Sequence, residues 1–175
     1  MGQLSIRSAG DFSAGTHLCY ITTHTPAPIA TWATLQTSKT THIELNNALL
    51  YINHSCAPNV EWHTYSPDAA GDYPNGRAGE VKVARDRRLK KGDELFWFYP
   101  SAEWASPRPF QCICGQEECI RWQRGSQALS ERVLNNYFVN EHVKELVRER
   151  DVEDVQGKLE SSVNISVVAV EVEDE

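Results

Sequence analysis

The sequence predicts a mainly β fold of small sheets followed by one C-terminal helix. Residues 4–100 contain short apolar or alternating runs separated by Gly, Pro, Asn and Asp, which is typical of short strands and turns. From Ser126 onward the apolar spacing becomes helical. With 175 residues, of which 41% are hydrophobic and 23% are charged, the chain suits one domain with a terminal extension.

Several segments have the composition or the alternation of β-strands. They are residues 4–7, 16–21, 32–35, 41–45, 60–65, 80–84 and 94–100. Residues 66–79 are rich in Pro, Gly, Asp and Asn, and they are predicted to form an exposed loop of the hairpin between two of these strands. Residues 25–28 are predicted to be a loop because their two prolines cannot donate to a β-ladder.

The last predicted strand contains four consecutive aromatic residues, at positions 96–99. Successive side chains of a strand point to opposite faces, so these four cannot all enter a core on one side. One face of the run is therefore predicted to serve something besides packing. The alternative is a strand that is buried on both faces.

The C-terminal helix is predicted over residues 126–150, with Ser126 or Ser130 as its cap. Its apolar positions are Leu129, Val133, Tyr137 or Phe138, Val143, Leu146 and Val147. Residues 151–175 form an acidic tail, in which the alternation over residues 163–170 favours an edge strand or a segment that pairs with a partner.

The formal charge of −7 gives no indication of a phosphate-binding surface, so direct binding of nucleic acid is not expected. An acidic face favours a cationic partner such as a lysine-rich peptide, or it simply keeps the protein soluble. The chain has no apolar run of the roughly 18 residues that indicate a membrane span. The first residues lack the features of a secretory signal, so the expected location is intracellular, in the nucleus or the cytoplasm.

Four of the five cysteines fall in two places. Cys112, Cys114 and Cys119 form a C-x-C-x4-C knuckle, and Cys56 lies far upstream. Zinc takes four ligands at tetrahedral corners, so this pattern predicts one structural zinc ion. The alternatives are reduced cysteines with no shared role, or disulfides. Cysteines one residue apart are poorly placed to bridge each other.

Three segments together resemble a known family. Residues 53–59 read NHSCAPN, residues 92–95 read GDEL and lead to Tyr99, and residues 110–119 read FQCICGQEEC. In this order they are similar to the signatures of SET-domain methyltransferases with a post-SET zinc segment, of the short stand-alone type. The resemblance covers roughly residues 4–123.

The resemblance implies a fold of small β-sheets with a pseudo-knot, in which the Asn-His-Ser-Cys segment is threaded by the segment that ends in Tyr99. The implied organisation is a SET domain over residues 1–100 and a post-SET zinc segment over residues 101–125. The C-terminal helix and the acidic tail follow.

The resemblance also implies methyl transfer from S-adenosylmethionine to the lysine amine of a protein or peptide. Asn53 and His54 match positions that hold the cofactor, and Tyr99 matches the catalytic tyrosine, with His54 as its candidate partner. The zinc ligands of the family match Cys56, Cys112, Cys114 and Cys119. Trp122 is placed to stack on the adenine or to pack on the surface. Phe96, Trp97 and Phe98 are candidate walls of a desolvating channel for the amine.

Two positions depart from the family pattern. Gln3, Leu4 and Ser5 stand where the family has Gly-x-Gly, so Ser5 is the candidate cofactor contact and Gly2 is the nearby glycine. Phe98 stands where the family often carries aspartate.

Two other functions remain open. One is an enzyme of the same fold that acts on a small molecule without methyl transfer, with Tyr99 and His54 as acid and base. The other is a non-catalytic interaction module, in which zinc maintains the shape and the tail recruits a partner.

Overall fold

The computed structural model describes residues 4–170, and in this part of the chain ten short strands form four small sheets. The strands are β1 (His17–Ile21), β2 (His24–Ala27), β3 (Thr34–Gln36), β4 (His42–Leu45), β5 (Asn53–His54), β6 (Val60–Thr64), β7 (Gly79–Val83), β8 (Phe96–Trp97), β9 (Phe110–Gln111) and β10 (Trp122–Gln123). The mainly β prediction is confirmed. Gly2, Gln3 and the end of the acidic tail lie outside the described residues.

The largest apolar core lies on the sheet with strand order β1-β7-β6. Strands β6 and β7 pair antiparallel, with Trp62 opposite Val81, so the hairpin prediction is confirmed. Ile21, Trp62 and Val81 are buried, which matches the alternation that their strands have in the sequence. The segment between β6 and β7 contains a short 3-10 helix over Pro74–Gly76.

A second sheet has the order β2-β4-β3, and it corrects the prediction of a loop over residues 25–28. His24–Ala27 pairs antiparallel with β4, and Pro26 lies opposite Ile43. Strand β2 lies at the edge of the sheet, where a proline without a backbone N–H is tolerated on the side that faces away from β4. The two prolines therefore exclude a central strand but not an edge strand. Leu35 of β3 and Ile43 and Leu45 of β4 are buried.

The first predicted strand is not a strand of its own. Arg7 and Phe12 form isolated antiparallel bridges with Glu94 and Leu89, respectively. These bridges fasten the start of the chain to the segment that precedes β8.

Strands β5 and β8 form a two-stranded parallel pair, which joins the Asn-His-Ser-Cys segment to the aromatic run. The backbone amide of Ser55 donates to the Trp97 oxygen at 3.1 Å. The side chain of Asn59 donates to the Glu94 oxygen and accepts from the Phe96 amide, each at 2.8 Å. These bonds bring together the two segments that the pseudo-knot prediction joins, and the threading itself stays a prediction.

Between residues 126 and 170 the chain forms two α-helices instead of the single helix predicted over residues 126–150. Helix α1 is Glu131–Leu134 and helix α2 is Glu141–Val170. Val143 and Val147 of α2 are buried as predicted. The chain is not helical between α1 and α2, because the side chain of Asn140 forms hydrogen bonds with strand β6 and with Ser101.

Residues 163–170 continue helix α2, where the sequence favoured an edge strand. A helix satisfies its backbone hydrogen bonds within its own segment, whereas a strand needs a neighbouring edge. Within residues 4–170, no helix combines the length and the apolar character that crossing a membrane requires.

Candidate functional site

Strand β5 positions the first two site residues. A 3-10 helix over Ala48–Tyr51 precedes it, and the side chain of Asn47 caps this helix by accepting from the Leu49 amide at 2.9 Å. The parallel register then sets Asn53 beside Phe96 and His54 beside Trp97. Two segments that are far apart in the sequence thus meet at one place.

His54 links the aromatic run to the cysteines. Its Nδ1 accepts from the Tyr99 amide at 3.2 Å, and its Nε2 lies 3.7 Å from Cys56 Sγ. Burial lowers the pKa of His54 to about 4, so the ring is neutral at pH 7. Since both ring nitrogens are occupied, the geometry gives His54 a role in holding Tyr99 in position.

Tyr99 is oriented by its backbone and its hydroxyl. The hydroxyl donates to the Ile52 oxygen at 3.2 Å, and the ring packs edge-on against His54 with centroids 5.2 Å apart. Burial, with the nearby charge of Glu103, raises the pKa of Tyr99 to about 12. The hydroxyl therefore stays protonated at neutral pH and can serve as a fixed neutral dipole.

The four aromatic residues at positions 96–99 divide between a cavity and the core. Phe96 and Tyr99 line the cavity. Trp97 stacks on Trp62 with centroids 4.6 Å apart, and Phe98 stacks on Tyr137 at 3.7 Å. Trp97 and Phe98 are buried in the core, so the prediction that they form channel walls is wrong, while that for Phe96 agrees with the structure.

The cavity has a volume of about 920 Å³ and brings Asn53, His54 and Tyr99 together. This volume is in the range of small-molecule and cofactor sites. Its charged lining residues are Arg87, Glu94, Glu103 and Arg108. A lining of both signs suits a zwitterionic amino-acid group, and the ring of Phe110 offers an apolar wall. The residues present therefore fit S-adenosylmethionine.

Two predicted cofactor contacts are not among the residues that line this cavity. Ser5 follows Leu4, whose backbone oxygen accepts from Asn53 Nδ2 at 2.9 Å. Leu4 is thus tied to the cavity through Asn53. Trp122 is 49% exposed on β10, with the Arg124 guanidinium 5.5 Å from its ring centroid.

The cysteine knuckle and Cys56 converge as predicted. The Sγ atoms of Cys56, Cys112, Cys114 and Cys119 all lie within 4.8 Å of one another. The distances from Cys56 Sγ to the sulfurs of Cys112 and Cys119 are both 3.9 Å. Four sulfurs at tetrahedral Zn–S distances are about 3.8 Å apart, so the cluster has the dimensions of a zinc site. The cysteines are free thiols, which excludes the disulfide alternative in this structure.

Local backbone geometry presents these sulfurs to one point. Gly115 adopts a φ of 73°, a left-handed conformation that turns the chain between Cys114 and Cys119. The amides of Ile120 and Arg121 approach the sulfurs of Cys56 and Cys119 at 3.5 and 3.3 Å, respectively. Amide donors directed at sulfur stabilise thiolates.

The thiols cannot all ionise easily without a cation. Burial raises the pKa of Cys56 well above its ordinary value and that of Cys112 to about 11. Burial also opposes ionisation of Cys114, but hydrogen bonds, first from the Gln116 backbone, lower its pKa to about 6. A divalent ion would supply the missing positive charge.

Sequence reasoning missed Glu103, which lines the cavity. Its backbone amide donates to the Tyr99 oxygen at 3.1 Å, so one turn separates the two residues. The available signal was its spacing from Tyr99, but a lone glutamate after an aromatic run gives no indication that it is buried. Sequence reasoning also missed Thr31, Trp32 and Thr34, which line the same cavity.

Comparisons with known proteins place this arrangement in context. A family model described as SET domain matches residues 3–100. Methyltransferase flvH of Aspergillus flavus is 41% identical over 143 residues, which cover 82% of this chain and 74% of that protein.

Two similar solved structures are those of KRYPTONITE, one in complex with mCHG DNA and SAH, the other with mCHH DNA, H3(1-15) peptide and SAH. Each is 20% identical to this chain, and the TM-scores are 0.49 and 0.48. Each match covers 67% of this chain and 26% of the other, so the chain spans about a quarter of the length of those proteins.

Proposed function

The chain belongs to the SET-domain family, and from this premise we propose that it is an S-adenosylmethionine-dependent methyltransferase that acts on an amine. The amine that the family suggests is the side chain of a lysine in a protein or peptide. The observation that carries the proposal is the meeting of Asn53, His54 and Tyr99 in one cavity beside the cysteine cluster.

The cofactor half of the cavity is assigned to the side containing Asn53, His54 and Phe110. S-adenosylmethionine bound there would supply a methyl group on a sulfonium sulfur. The sulfur would keep the bonding electrons, and the amine would lose one proton to water. Asn53 would bind the cofactor together with the backbone at Leu4, to which its side chain is already fixed.

The residues around Tyr99 prepare the amine for reaction. An alkylamine with a pKa of about 10 is protonated at neutral pH and must become neutral to act as a nucleophile. Phe96 and Phe110 give the cavity apolar walls, which disfavour the charged form by desolvation. The protonated Tyr99 hydroxyl, held by the Ile52 oxygen, then orients the reacting groups.

The cysteine cluster is assigned one structural zinc ion. Its ligands would be Cys56, on the segment after β5, and the three cysteines of the knuckle. The ion would hold the segment that carries Phe110 over the cavity, because Phe110 lies two residues before Cys112. Its role is to complete the cofactor site and not to take part in methyl transfer.

Calorimetric titration of the purified protein with S-adenosylhomocysteine tests the proposal. Saturable binding is expected at sub-millimolar concentration, with binding weakened at least about tenfold by Asn53→Ala, because a cavity-lining amide is lost. The matched control is Asn46→Ala, since Asn46 bonds Thr25 Oγ1 and does not line the cavity. Absence of binding at millimolar ligand by the folded, zinc-loaded protein would refute the proposal and favour a non-methylating role.

The amine is identified in the same system by mass spectrometry. Peptides with a central lysine and small free alkylamines are each offered with S-adenosylmethionine, and the product masses are compared. Methylated peptide supports the lysine assignment. Methylation confined to the free amines would keep the reaction and replace the substrate.

A further inference from the structure

Glu103 is a buried carboxylate in the wall of the cavity, and its surroundings leave its charge without a partner. It is 7% exposed. One carboxylate oxygen, Oε1, accepts from the Gln36 amide at 2.9 Å. The other, Oε2, is buried, and no residue within the described part of the chain forms a hydrogen bond with it.

The groups around Glu103 provide no cation at neutral pH. His42 Nε2, on β4, lies 4.0 Å from Oε2, and burial lowers the pKa of His42. His142, on α2, bonds the Ala102 oxygen, and burial likewise lowers its pKa. On the side of the aromatic run, Tyr99 carries a protonated hydroxyl. Burial accordingly raises the pKa of Glu103 to about 7.

A purely structural role explains only half of this side chain. Holding the Gln36 amide needs one neutral oxygen, which a glutamine would supply without the cost of burying a charge. The main chain at Glu103 is fixed independently, because its backbone oxygen accepts from the Ser126 amide at 2.9 Å and from Ser126 Oγ at 3.0 Å. The hydrogen bonds of Glu103 within the described part of the chain therefore do not require a carboxylate.

Trp32 offers a suitable neighbour for a cation in the same cavity. Trp32 lines the cavity and is 65% exposed. The turn that carries it is fixed by Thr34, whose Oγ1 accepts from the Thr31 amide at 3.0 Å and donates to the Thr31 oxygen at 2.9 Å. An indole ring can bind an ammonium group through its face. Strand β3 connects this turn to Gln36, whose amide donates to Glu103 Oε1, so the same strand anchors both the turn of Trp32 and the carboxylate.

We propose that Glu103 is the counter-ion of the cationic amine of the substrate, its carboxylate pairing with an alkylammonium group held in the cavity that Glu103 and Trp32 both line. The inference rests on the proposed function and specifies its substrate class as an amine that arrives positively charged at Glu103 and loses one proton to water before its nitrogen reacts beside Tyr99. The positive charge of the bound amine then supplies the counter-ion that Glu103 lacks in the unliganded protein. Glu103 is thus a specificity-determining residue that selects an alkylammonium over a neutral isostere.

The test measures binding and not turnover. Wild-type protein saturated with S-adenosylhomocysteine is titrated by NMR or calorimetry with Nα-acetyl-lysine amide, and with Nα-acetyl-norleucine amide as the neutral isostere. The wild type is expected to bind the lysine compound at least tenfold more tightly than the norleucine compound. In Glu103→Gln this preference is expected to disappear, while the affinity for S-adenosylhomocysteine stays within twofold.

A proton-linkage measurement adds an independent readout. At pH 6.5 the ammonium should displace the proton of Glu103, so calorimetry in two buffers of different ionisation enthalpy should detect proton release in the wild type and none in Glu103→Gln. Glu61→Gln is the matched control, because Glu61 is a partly buried carboxylate that pairs with His63 outside the cavity. It should retain both the preference and the proton release.

The outcomes separate this inference from the proposed function. If the wild type binds neither compound, or if Glu103→Gln keeps the preference for the lysine compound, the inference is overturned. If the wild type fails to bind S-adenosylhomocysteine, the proposed function fails, and the titration of the unliganded protein still decides whether Glu103 recognises an ammonium. A melting curve for Glu103→Gln verifies that the variant is folded.

Discussion

The position of the Tyr99 side chain is fixed by hydrogen bonds of its hydroxyl and of its backbone amide. The amide is bound to His54 Nδ1 and the hydroxyl to the Ile52 oxygen, so the side chain has little freedom to move. Its neighbours Trp97 and Phe98 are packed into the core. A single hydroxyl is thereby presented in an otherwise aromatic environment, where an oriented dipole has a larger effect than it has in water.

Tyr99→Phe should lower turnover about a hundredfold while the fold persists. The ring still packs against His54, and the loss of one hydrogen bond costs about 1 kcal/mol of unfolding free energy. Turnover and the number of methyl groups in the product are measured by mass spectrometry. Tyr73→Phe is the control, because its hydroxyl bonds Thr37 Oγ1 outside the cavity. Equal losses of turnover in both variants would contradict a specific role for Tyr99.

Glu103 should make the stability of the unliganded protein depend on pH. Its folded pKa of about 7 lies above the ordinary carboxyl value of 4.5, so between these values the folded state keeps a proton that the unfolded state has released. The free energy of unfolding then falls as pH rises through this window, by up to about 1.4 kcal/mol per pH unit. Above the window the contribution is constant.

Urea unfolding of the wild type and of Glu103→Gln at several pH values isolates this effect. The difference in unfolding free energy between variant and wild type should grow from pH 4.5 to pH 7 and then level off. Titrating groups that do not contact Glu103 are present in both proteins and cancel in the difference, whereas His42, 4.0 Å from Oε2, is coupled to the substituted carboxylate, so the comparison is repeated in a His42→Gln background. A constant difference across the window would contradict the raised pKa.

At the scale of elements, Asn140 connects helix α2 to the strands beneath the site. Its Oδ1 accepts from the Thr64 amide at 2.8 Å, and its Nδ2 donates to the Trp62 and Ser101 oxygens at 2.8 and 3.0 Å. Ser101 ends the 3-10 helix that begins at Tyr99. One buried amide thus joins the helix, the central sheet and the segment that carries the catalytic candidate.

Asn140→Ala should lower the free energy of unfolding by about 2–4 kcal/mol, because it leaves buried backbone groups of β6 without partners. Urea unfolding monitored by tryptophan fluorescence measures the loss. Asn136→Ala is the control, since Asn136 is exposed on the turn before α2 and should change stability by less than about 0.5 kcal/mol. Similar effects of the two substitutions would show that the network around Asn140 contributes little.

At the scale of the whole molecule, the cysteine cluster joins the SET segment to the segment that follows it. Cys56 comes from the segment after β5, and the other three sulfurs come from a knuckle that packs with Phe98 and helix α2 in a second core. The antiparallel pair of β9 and β10 closes the knuckle. Because the four sulfurs join two segments that are far apart in the sequence, the metal is expected to contribute much of the stability of this region.

Elemental analysis should find one zinc ion per chain, and removal of the ion with a chelator should lower the melting temperature by several degrees. For a chain of this size, 1 kcal/mol corresponds to about 2–4 °C. Cys114→Ser should reproduce the loss of zinc and abolish binding of S-adenosylhomocysteine. Cys19→Ser is the control, because Cys19 lies on β1 outside the cluster. Full zinc content in Cys114→Ser would remove Cys114 from the ligand set.

The amino-acid sequence by itself determined the features that depend on local spacing. The alternation around Trp62 and Val81 predicted the central hairpin, and the C-x-C-x4-C pattern with Cys56 predicted the cluster. These predictions succeed because strand periodicity and ligand geometry leave a direct trace in residue order. The motifs at Asn53 and Tyr99 identified the family for a similar reason.

The tertiary structure alone decided which side chains face the cavity and where the helix breaks. Phe96 lies in the cavity and Phe98 in the core because β8 pairs for two residues with β5, a contact across forty residues of sequence. The helix begins at Glu141 because the side chain of Asn140 bonds the distant strand β6 and Ser101. Glu103 is buried without a cation for the same physical reason: the neighbours that fix its charge state arrive from β3, β4 and α2, and no local pattern records them.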